Sequence, residues 1–470
     1  MVLGVCLAVV LATVVAVELE RSGSGPASAT STAGRTGTAD RTGTGPAADP
    51  GLQSAGSRVP SMASTSAKTG KDAGKYAGPP DPAGAIDGLL RSRVTAVRTG
   101  NRAAWLAGLD SSGSSASKSF RTAQAQLFDR VWSLHPAAWS YRVTGAEALS
   151  ARRRKALADP AAWLAEVQLS YQLVTGGPVV RRQQFLTMVG QAAGQTGSWR
   201  IAADTDGATS RDVWDLGPIA QARSPRCLVL GARSRQAEIA QLAAECGTAA
   251  STVDRAWGTG WPRQTVLTVP ETLPQLASLL GRTPASDATA GLDRTAAVTI
   301  GPANAAAEEV LINGAAFDEL RAIGRRVVLT HELVHVATRA TGSRSAPTWL
   351  EEGFADYVAY AATGLTPRDI AGEELDAVRA GSVPARLPSS DDFNAAGDGA
   401  ALAYGQAWVA VRLIAGRAGG AARLKSFYQQ AAVTGTDRTT ILDAALARIG
   451  LHDTATFVPL WQAQLRSLAQ

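Results

Sequence analysis

The chain has 470 residues, of which 45% are hydrophobic, and its formal net charge is +6. This length and apolar content suffice for two folded domains of ordinary size, each with its own core. The positive charge is spread thinly, without a basic run or stacking aromatic side chains, which excludes a nucleic-acid partner. The sequence does not indicate an oligomeric state.

Residues 2–17 contain no charged or strongly polar side chain. A polar tract follows them directly and offers nothing for this run to pack against, so the pattern predicts a signal peptide or signal anchor over residues 1–20. Sixteen apolar residues are few for a membrane-spanning helix. The protein is therefore expected to be exported, either anchored in the cell membrane and facing outside or secreted if residues 1–16 are removed.

Residues 21–80 are rich in Gly, Ser, Thr, Ala and Pro and have almost no large apolar side chains. Such a composition cannot bury a core, so this segment is predicted to be a disordered linker.

Residues 81–205 change to the pattern of a folded domain. Helices are predicted at 85–99, 101–109 and 120–134, and strands at 166–175, 179–188 and 198–203. The early segment Ala-Val-Arg-Thr-Gly-Asn-Arg-Ala-Ala-Trp-Leu (96–106) and the late segment Ser-Trp-Arg-Ile-Ala-Ala-Asp (198–204) resemble the nuclear transport factor two-like fold. The resemblance implies a cone-shaped α+β domain. Without a visible acid/base pair, it is interpreted as a structural or recognition module.

Residues 206–225 form a connector, and a strand at 227–231 and a helix at 236–244 then open the second domain. Cys227 and Cys246 could form a disulfide between these elements, or remain two buried thiols. Farther along, the apolar run 310–317 reads as a short strand ended by a turn. His135 and His452 have no ligand-like neighbours and are expected to be structural or exposed.

The pentapeptide His331-Glu332-Leu333-Val334-His335 is the most informative motif. Residues four apart share one face of a helix, so His331 and His335 can bind one cation while Glu332 faces its open position. The neighbouring apolar side chains place this helix in a core. The motif therefore predicts a zinc site.

The third protein ligand of such a site should come from a separate element, and Glu352 suits this role. Sixteen residues separate it from His335, which allows the first helix to end, turn and restart near Pro347. Asp356 lies one helical turn later, where it can accept the second imidazole N–H of a ligand, with His331 as the expected partner.

The His-Glu-x-x-His helix followed by Trp349-Leu-Glu-Glu-Gly-Phe-Ala (349–355) resembles the gluzincin metallopeptidases of clan MA. It is most similar to bacterial "peptidase MA-like" domains, over roughly residues 220–470. The resemblance implies Zn²⁺ bound by His331, His335 and Glu352, and Glu332 as the general base that takes a proton from the zinc-bound water. Glu351 falls at the variable position of the family motif and is expected at the surface.

Tyr404 begins the segment Tyr-Gly-Gln-Ala-Trp (404–408), which looks like the segment that carries an oxyanion-stabilising tyrosine in aminopeptidase N relatives. Packing is the alternative role of this side chain. In related enzymes, an edge strand that pairs with substrate backbone lies where the strand within 310–317 is expected, and an ordinary strand of the sheet is the alternative. The Gly-x-Met-Glu-Asn segment of aminopeptidases is absent from the sequence, so endopeptidase and exopeptidase remain open.

The sequence thus predicts an α+β protein: an export segment, a linker, a cone-shaped domain and a mainly helical zincin-like domain of the thermolysin/aminopeptidase type. The predicted function is a zinc-dependent peptidase, acting on a peptide or protein, with the membrane as a partner through its N-terminal segment. Two alternatives stay open: a non-catalytic zinc-stabilised binding or sensor domain, and a zinc hydrolase of a non-peptide amide or ester.

Overall fold

The computed structural model describes residues 8–10, 78–190, 198–262, 264–282, 288–301, 309–342, 346–395, 399–433 and 437–470. Over these residues the fold is α+β with a helical C-terminal part, as predicted. The predicted linker at 21–80 lies almost entirely outside the described residues, as does most of the apolar run at 2–17. Within that run, Ala8–Val10 form a short strand, β1.

The first half of the described chain is a group of helices followed by an antiparallel sheet. We call residues 78–190 and 198–203 the N-terminal module. Its elements are α1 (Pro82–Thr99), α2 (Arg102–Ala107), α3 (Ser115–Leu134), β2 (Ala138–Ala148), α4 (Ala151–Ala156), β3 (Trp163–Gln172), β4 (Val180–Gly190) and β5 (Trp199–Ala203). The three long strands β2, β3 and β4 pair in chain order, and β5 completes the edge.

Capping side chains set the ends of these helices. Asp81, Asn101 and Ser114 each accept a hydrogen bond from a backbone N–H in the first turn of α1, α2 and α3. His135 ends α3 with a left-handed φ of 49° and is exposed, as expected. His452 is also exposed.

The second half is built on a six-stranded sheet with the order β1-β9-β10-β8-β7-β6. Its strands are β6 (Ile219–Arg223), β7 (Cys227–Ala232), β8 (Thr265–Val269), β9 (Ala297–Ile300) and β10 (Glu309–Ile312). The three inner strands β7, β8 and β10 are parallel. Parallel strands need covering on both faces, and both faces are covered here.

Eleven helices accompany this sheet in the described chain. They are α5 (Val213–Leu216), α6 (Gln236–Trp257), α7 (Leu273–Leu279), α8 (Gly314–Asp318), α9 (Ala322–Ala340), α10 (Thr348–Tyr360), α11 (Pro367–Arg379), α12 (Gly399–Ala418), α13 (Ala421–Ala431), α14 (Arg438–Ala447) and α15 (Thr454–Ala469).

Strand β7 shows how the sheet serves two cores. Cys227 and Val229 join the large core formed with α6, α9, α10 and α12. Leu228 and Leu230 point the other way, because side chains alternate along a strand. They pack, with Val266 of β8, in one core with side chains of the N-terminal module. The N-terminal module therefore covers the β7–β8 part of one face of the sheet, and α7 covers the β9–β10 part of that face.

A buried ionic network reinforces this contact. Arg182 of β4 donates to Asp212 Oδ1 at 2.9 Å and to Glu309 Oε1 at 2.8 Å, and Glu309 begins β10. The Tyr171 hydroxyl also donates to Asp212 at 2.8 Å. Each charge is thus paired and hydrogen-bonded, which a buried charge requires.

A disulfide between Cys227 and Cys246 ties β7 to α6. Both residues are fully buried. Of the two states that the sequence left open, the structure has the disulfide.

The expectation that the strand within 310–317 lies at an edge of the sheet is wrong. Strand β10 lies between β8 and β9, with hydrogen-bonded neighbours on both sides. Strand β9 is placed outside it, and β1 pairs antiparallel with β9, with Ala8 opposite Thr299. A short apolar strand carries no information about its neighbours, because strand order depends on how distant segments meet.

The prediction of a transmembrane segment is also wrong for the part of the chain that the structure describes. None of its described helices combines the length and apolar character needed to cross a membrane. The described part of the apolar run, Ala8–Val10, is a strand.

Candidate metal centre

Helix α9 carries the His-Glu-x-x-His motif through the centre of the large core. All residues from 327 to 338 are buried, including His331 at 1% exposure and Glu332 at 0%. The four-residue spacing puts His331 and His335 on one face of this helix. Their Nε2 atoms lie 3.0 Å apart.

Helix α10 supplies the third group. Glu352 Oε2 lies 3.2 Å from His331 Nε2 and 3.6 Å from His335 Nε2. Gly353 lets α10 lie close against α12, because a Cβ at this position would lie only 2.4 Å from the backbone oxygen of Ala407 in α12. The close contact of α10 with α12 brings both helices to the site.

The three ligand atoms have the spacing of a metal site. Tetrahedral zinc with bonds of roughly 2.0–2.1 Å holds neighbouring ligand atoms about 3.3 Å apart. The separations of 3.0, 3.2 and 3.6 Å bracket this value. The buried group of His331, His335 and Glu352 could therefore hold a metal ion.

The charges around the site also favour a cation. Burial alone lowers the pKa of His331, but hydrogen bonds to Asp356 and Glu352 outweigh it and raise that pKa to about 10. Burial raises the pKa of Glu352, yet the two histidines lower it more strongly, to about 2. The site thus stabilises a positive charge among its three ligand atoms.

Asp356 supports the first histidine. Its Oδ1 lies 2.8 Å from His331 Nδ1, which is the pair expected from the spacing. A carboxylate at this nitrogen holds the proton on Nδ1 and leaves Nε2 free to bind a metal.

A hydrogen bond from a residue of the sheet fixes the Glu332 carboxylate. Thr299 of β9 donates to Glu332 Oε2 at 2.5 Å and lies 3.2 Å from the Glu332 backbone oxygen. Oε1 has no hydrogen-bond partner among the described residues. Burial raises the pKa of this carboxyl, although the neighbouring histidines oppose the shift. Sequence reasoning missed Thr299, whose only signal is a hydroxyl in the fully buried strand Ala-Val-Thr-Ile.

Tyr404 reaches the same site from α12. Its ring centroid is 6.4 Å from that of His331, and Phe393 packs edge-on against it at 5.0 Å. Burial raises the Tyr404 pKa well above 10, and the charges of Glu352, Asp356 and Glu332 add to the shift. The hydroxyl therefore keeps its proton and remains a hydrogen-bond donor.

Glu351 is less exposed than expected. It is half-buried on α10, and burial raises its pKa to about 7. It does not belong to the group of converging ligand atoms.

Comparison of the chain with models of known protein families found no match, and comparison with curated proteins found none either. The site is therefore interpreted from its own geometry: three ligand atoms, a carboxylate that is not one of them, and a protonated phenol.

Proposed function

We propose that this chain is an exported zinc-dependent peptidase in which Glu332 is the general base. The observation that carries the proposal is the convergence of His331, His335 and Glu352 beside a carboxylate that binds none of them. A purely structural zinc site would be closed by a fourth protein ligand. Two imidazoles and one carboxylate are a donor set that suits zinc.

Each residue around the site then has a chemical task. Zinc held by His331, His335 and Glu352 would supply a Lewis acid and lower the pKa of a water molecule to about 7. Glu332 takes a proton from the attacking water and gives it to the leaving amine, and its raised pKa suits both transfers. Thr299 fixes the direction of this carboxylate through its 2.5 Å hydrogen bond.

Tyr404 stabilises the negative charge that forms on the carbonyl oxygen. In the structure this hydroxyl is hydrogen-bonded to Glu352, so it would turn from that carboxylate to the carbonyl oxygen as the negative charge forms. The packing of Phe393 against the Tyr404 ring limits its movement.

Strand β9 supports a peptide as the substrate. Its Thr299 touches Glu332, and its outer edge accepts β1 as an antiparallel strand. An extended peptide can bind to such an edge by backbone hydrogen bonds, and a substrate would take the place that β1 occupies in the structure. A small ester or amide has no comparable backbone to offer.

The resemblances in the sequence give the finer assignment. Two ligand-bearing helices, α9 and α10, beside a mixed sheet support a gluzincin-type domain. Three helices followed by a four-stranded antiparallel sheet support a nuclear transport factor two-like module before it. The Cys227–Cys246 disulfide supports export, because such bonds persist in oxidising compartments.

The test compares the wild-type chain with Glu332→Gln, Glu352→Gln and the exposed control Glu319→Gln. Bound zinc is measured by elemental analysis, and cleavage is measured on a mixed peptide library and on a set of simple esters. We expect one zinc in all but Glu352→Gln, and loss of cleavage in Glu332→Gln with the control unaffected. A wild-type protein without zinc, or full cleavage by Glu332→Gln, would refute the proposal. Zinc with cleavage of esters alone would assign the non-peptide hydrolase instead.

A further inference from the structure

The N-terminal module contains a narrow, mostly enclosed cavity far along the chain from the metal centre. It lies between α1–α3 and the sheet β2–β5, with Trp214 and Asp215 of α5 also in its wall. It has room for a molecule of a few non-hydrogen atoms. Its walls carry both apolar side chains and buried polar groups, as ligand sites do.

A buried arginine is the main feature of the cavity. Arg93 is only 5% exposed, and its guanidinium lies 3.3 Å from the centre of the Trp105 ring. Its Nη2 donates to Gln124 Oε1 at 3.1 Å, while Nε and Nη1 have no hydrogen-bond partner among the described residues. Such nitrogens cost free energy when they are buried without an acceptor.

The charge of Arg93 is not balanced by a direct ion pair with a described carboxylate. Gln124 stands between Arg93 and Asp204, and donates to Asp204 Oδ2 at 3.2 Å. The Tyr141 phenol and, more weakly, Asp204 favour the charged guanidinium, but burial outweighs them and lowers its pKa. The guanidinium lies over the Trp105 ring and is hydrogen-bonded to Gln124 and Tyr141, but no described carboxylate contacts it, so a bound anion would lower the cost of burying its charge.

Two indoles add unsatisfied donors to the same cavity. Trp105 and Trp139 both line it, and the Nε1 of each is buried without an acceptor among the described residues. An indole Nε1 can only donate. Aliphatic side chains, among them Leu169, Leu186 and Ile201, also line the cavity, together with the charged side chains of Arg211, Asp204 and Asp215.

We propose that this cavity binds a small organic carboxylate, with its oxygens towards Arg93 and the two indoles and its apolar end against the aliphatic side chains. The orphaned donors require acceptors, the guanidinium requires a negative charge, and the narrow space admits only a short chain. The N-terminal module is then a binding module as well as a cover for the sheet. This inference does not depend on the metal centre.

The test uses the full chain labelled with ¹⁵N-tryptophan, whose eleven indoles give separate N–H signals. Sodium propionate is titrated against its neutral counterpart propionamide and against sodium chloride. We expect two indole signals, assigned with Trp105→Phe and Trp139→Phe, to shift saturably with propionate alone. Arg93→Met should weaken the apparent affinity at least tenfold, and the exposed-strand control Arg142→Met should not.

The comparison of propionate with propionamide needs no variant, so it decides the matter even if Arg93→Met fails to fold. No saturable shift in the wild type would show that ordered water alone satisfies these donors. Equal shifts with propionamide or chloride would show that the cavity does not select an organic carboxylate, which would also overturn the proposal. Unchanged propionate affinity in a folded Arg93→Met would equally overturn the proposal.

Discussion

The Cys227–Cys246 disulfide gives the most direct prediction of stability. The two residues are 19 apart in sequence, so the bond closes a loop of about 20 residues in the unfolded chain. Loop-closure entropy for that length corresponds to about 3 kcal/mol at 25 °C. Replacing both residues by alanine should therefore lower the free energy of unfolding by about 3 kcal/mol, with a further small loss from the space left in the core.

The measurement is urea unfolding followed by tryptophan fluorescence, since Trp257 ends the helix that the disulfide anchors. Three samples are compared: the oxidised wild type, the wild type with a reductant, and Cys227→Ala/Cys246→Ala. Cys6→Ala is the control, because Cys6 is the one other cysteine in the sequence. We expect the second and third samples to unfold at lower urea than the first and the control. Equal midpoints in all four would refute the loop-entropy reasoning.

Three further predictions concern buried polar groups. Asp356→Asn should weaken zinc binding by about 10- to 100-fold in a chelator competition assay. The control Asp376→Asn, at an exposed position, should not. Equal zinc affinities of Asp356→Asn and the wild type would exclude a role of Asp356 in supporting His331. Thr299→Val should lower kcat about 10- to 100-fold, because a hydrogen bond to a charged group contributes about 1.5–3 kcal/mol. KM and zinc content should stay unchanged, and Thr299→Ser should retain the wild-type rate. Full activity in Thr299→Val would contradict the role of Thr299 in holding Glu332. Burial raises the pKa of Glu374 from 4.5 to about 7, so the unfolded chain loses this proton first and wild-type stability should fall, by at most about 3 kcal/mol, as the pH rises from 4.5 to 7. Because burial also raises the pKa of Glu351 and of Asp215 to about 7, Glu374→Gln should reduce that fall, and not abolish it, in melting temperatures measured at pH 5 and pH 8. A fall of the same size in the variant would exclude a contribution from Glu374.

The ligand set was predictable because its geometry is local. His331 and His335 share a helix face by spacing alone, and Glu352 and Asp356 repeat that spacing on the next helix. Thr299 was not predictable, since it reaches Glu332 only because β9 packs against α9, 33 residues away in sequence. The position of β9 outside β10 has the same origin.

Strand β2 was missed although its sequence contains a signal. Trp139, Tyr141 and Val143 alternate with more exposed residues, as expected for a strand covered on one face. In the apolar run at 2–17, by contrast, the sequence pattern is compatible with more than one secondary structure. Periodicity does not separate a short apolar strand from part of a helix, and the three described residues of that run are a strand.

The side chains on the second face of β7 and β8 limit how this protein can be divided for study. Leu228, Leu230 and Val266 are each no more than 5% exposed in the core that they share with the N-terminal module. A fragment beginning near residue 220 would leave all three in water, at a cost of about 5–8 kcal/mol. That is of the order of the whole stability of a typical domain, about 5–15 kcal/mol. The metal-binding half should therefore aggregate when expressed alone. In a chimera with a homologous protein, one half could be exchanged only together with the residues of the other half that contact it.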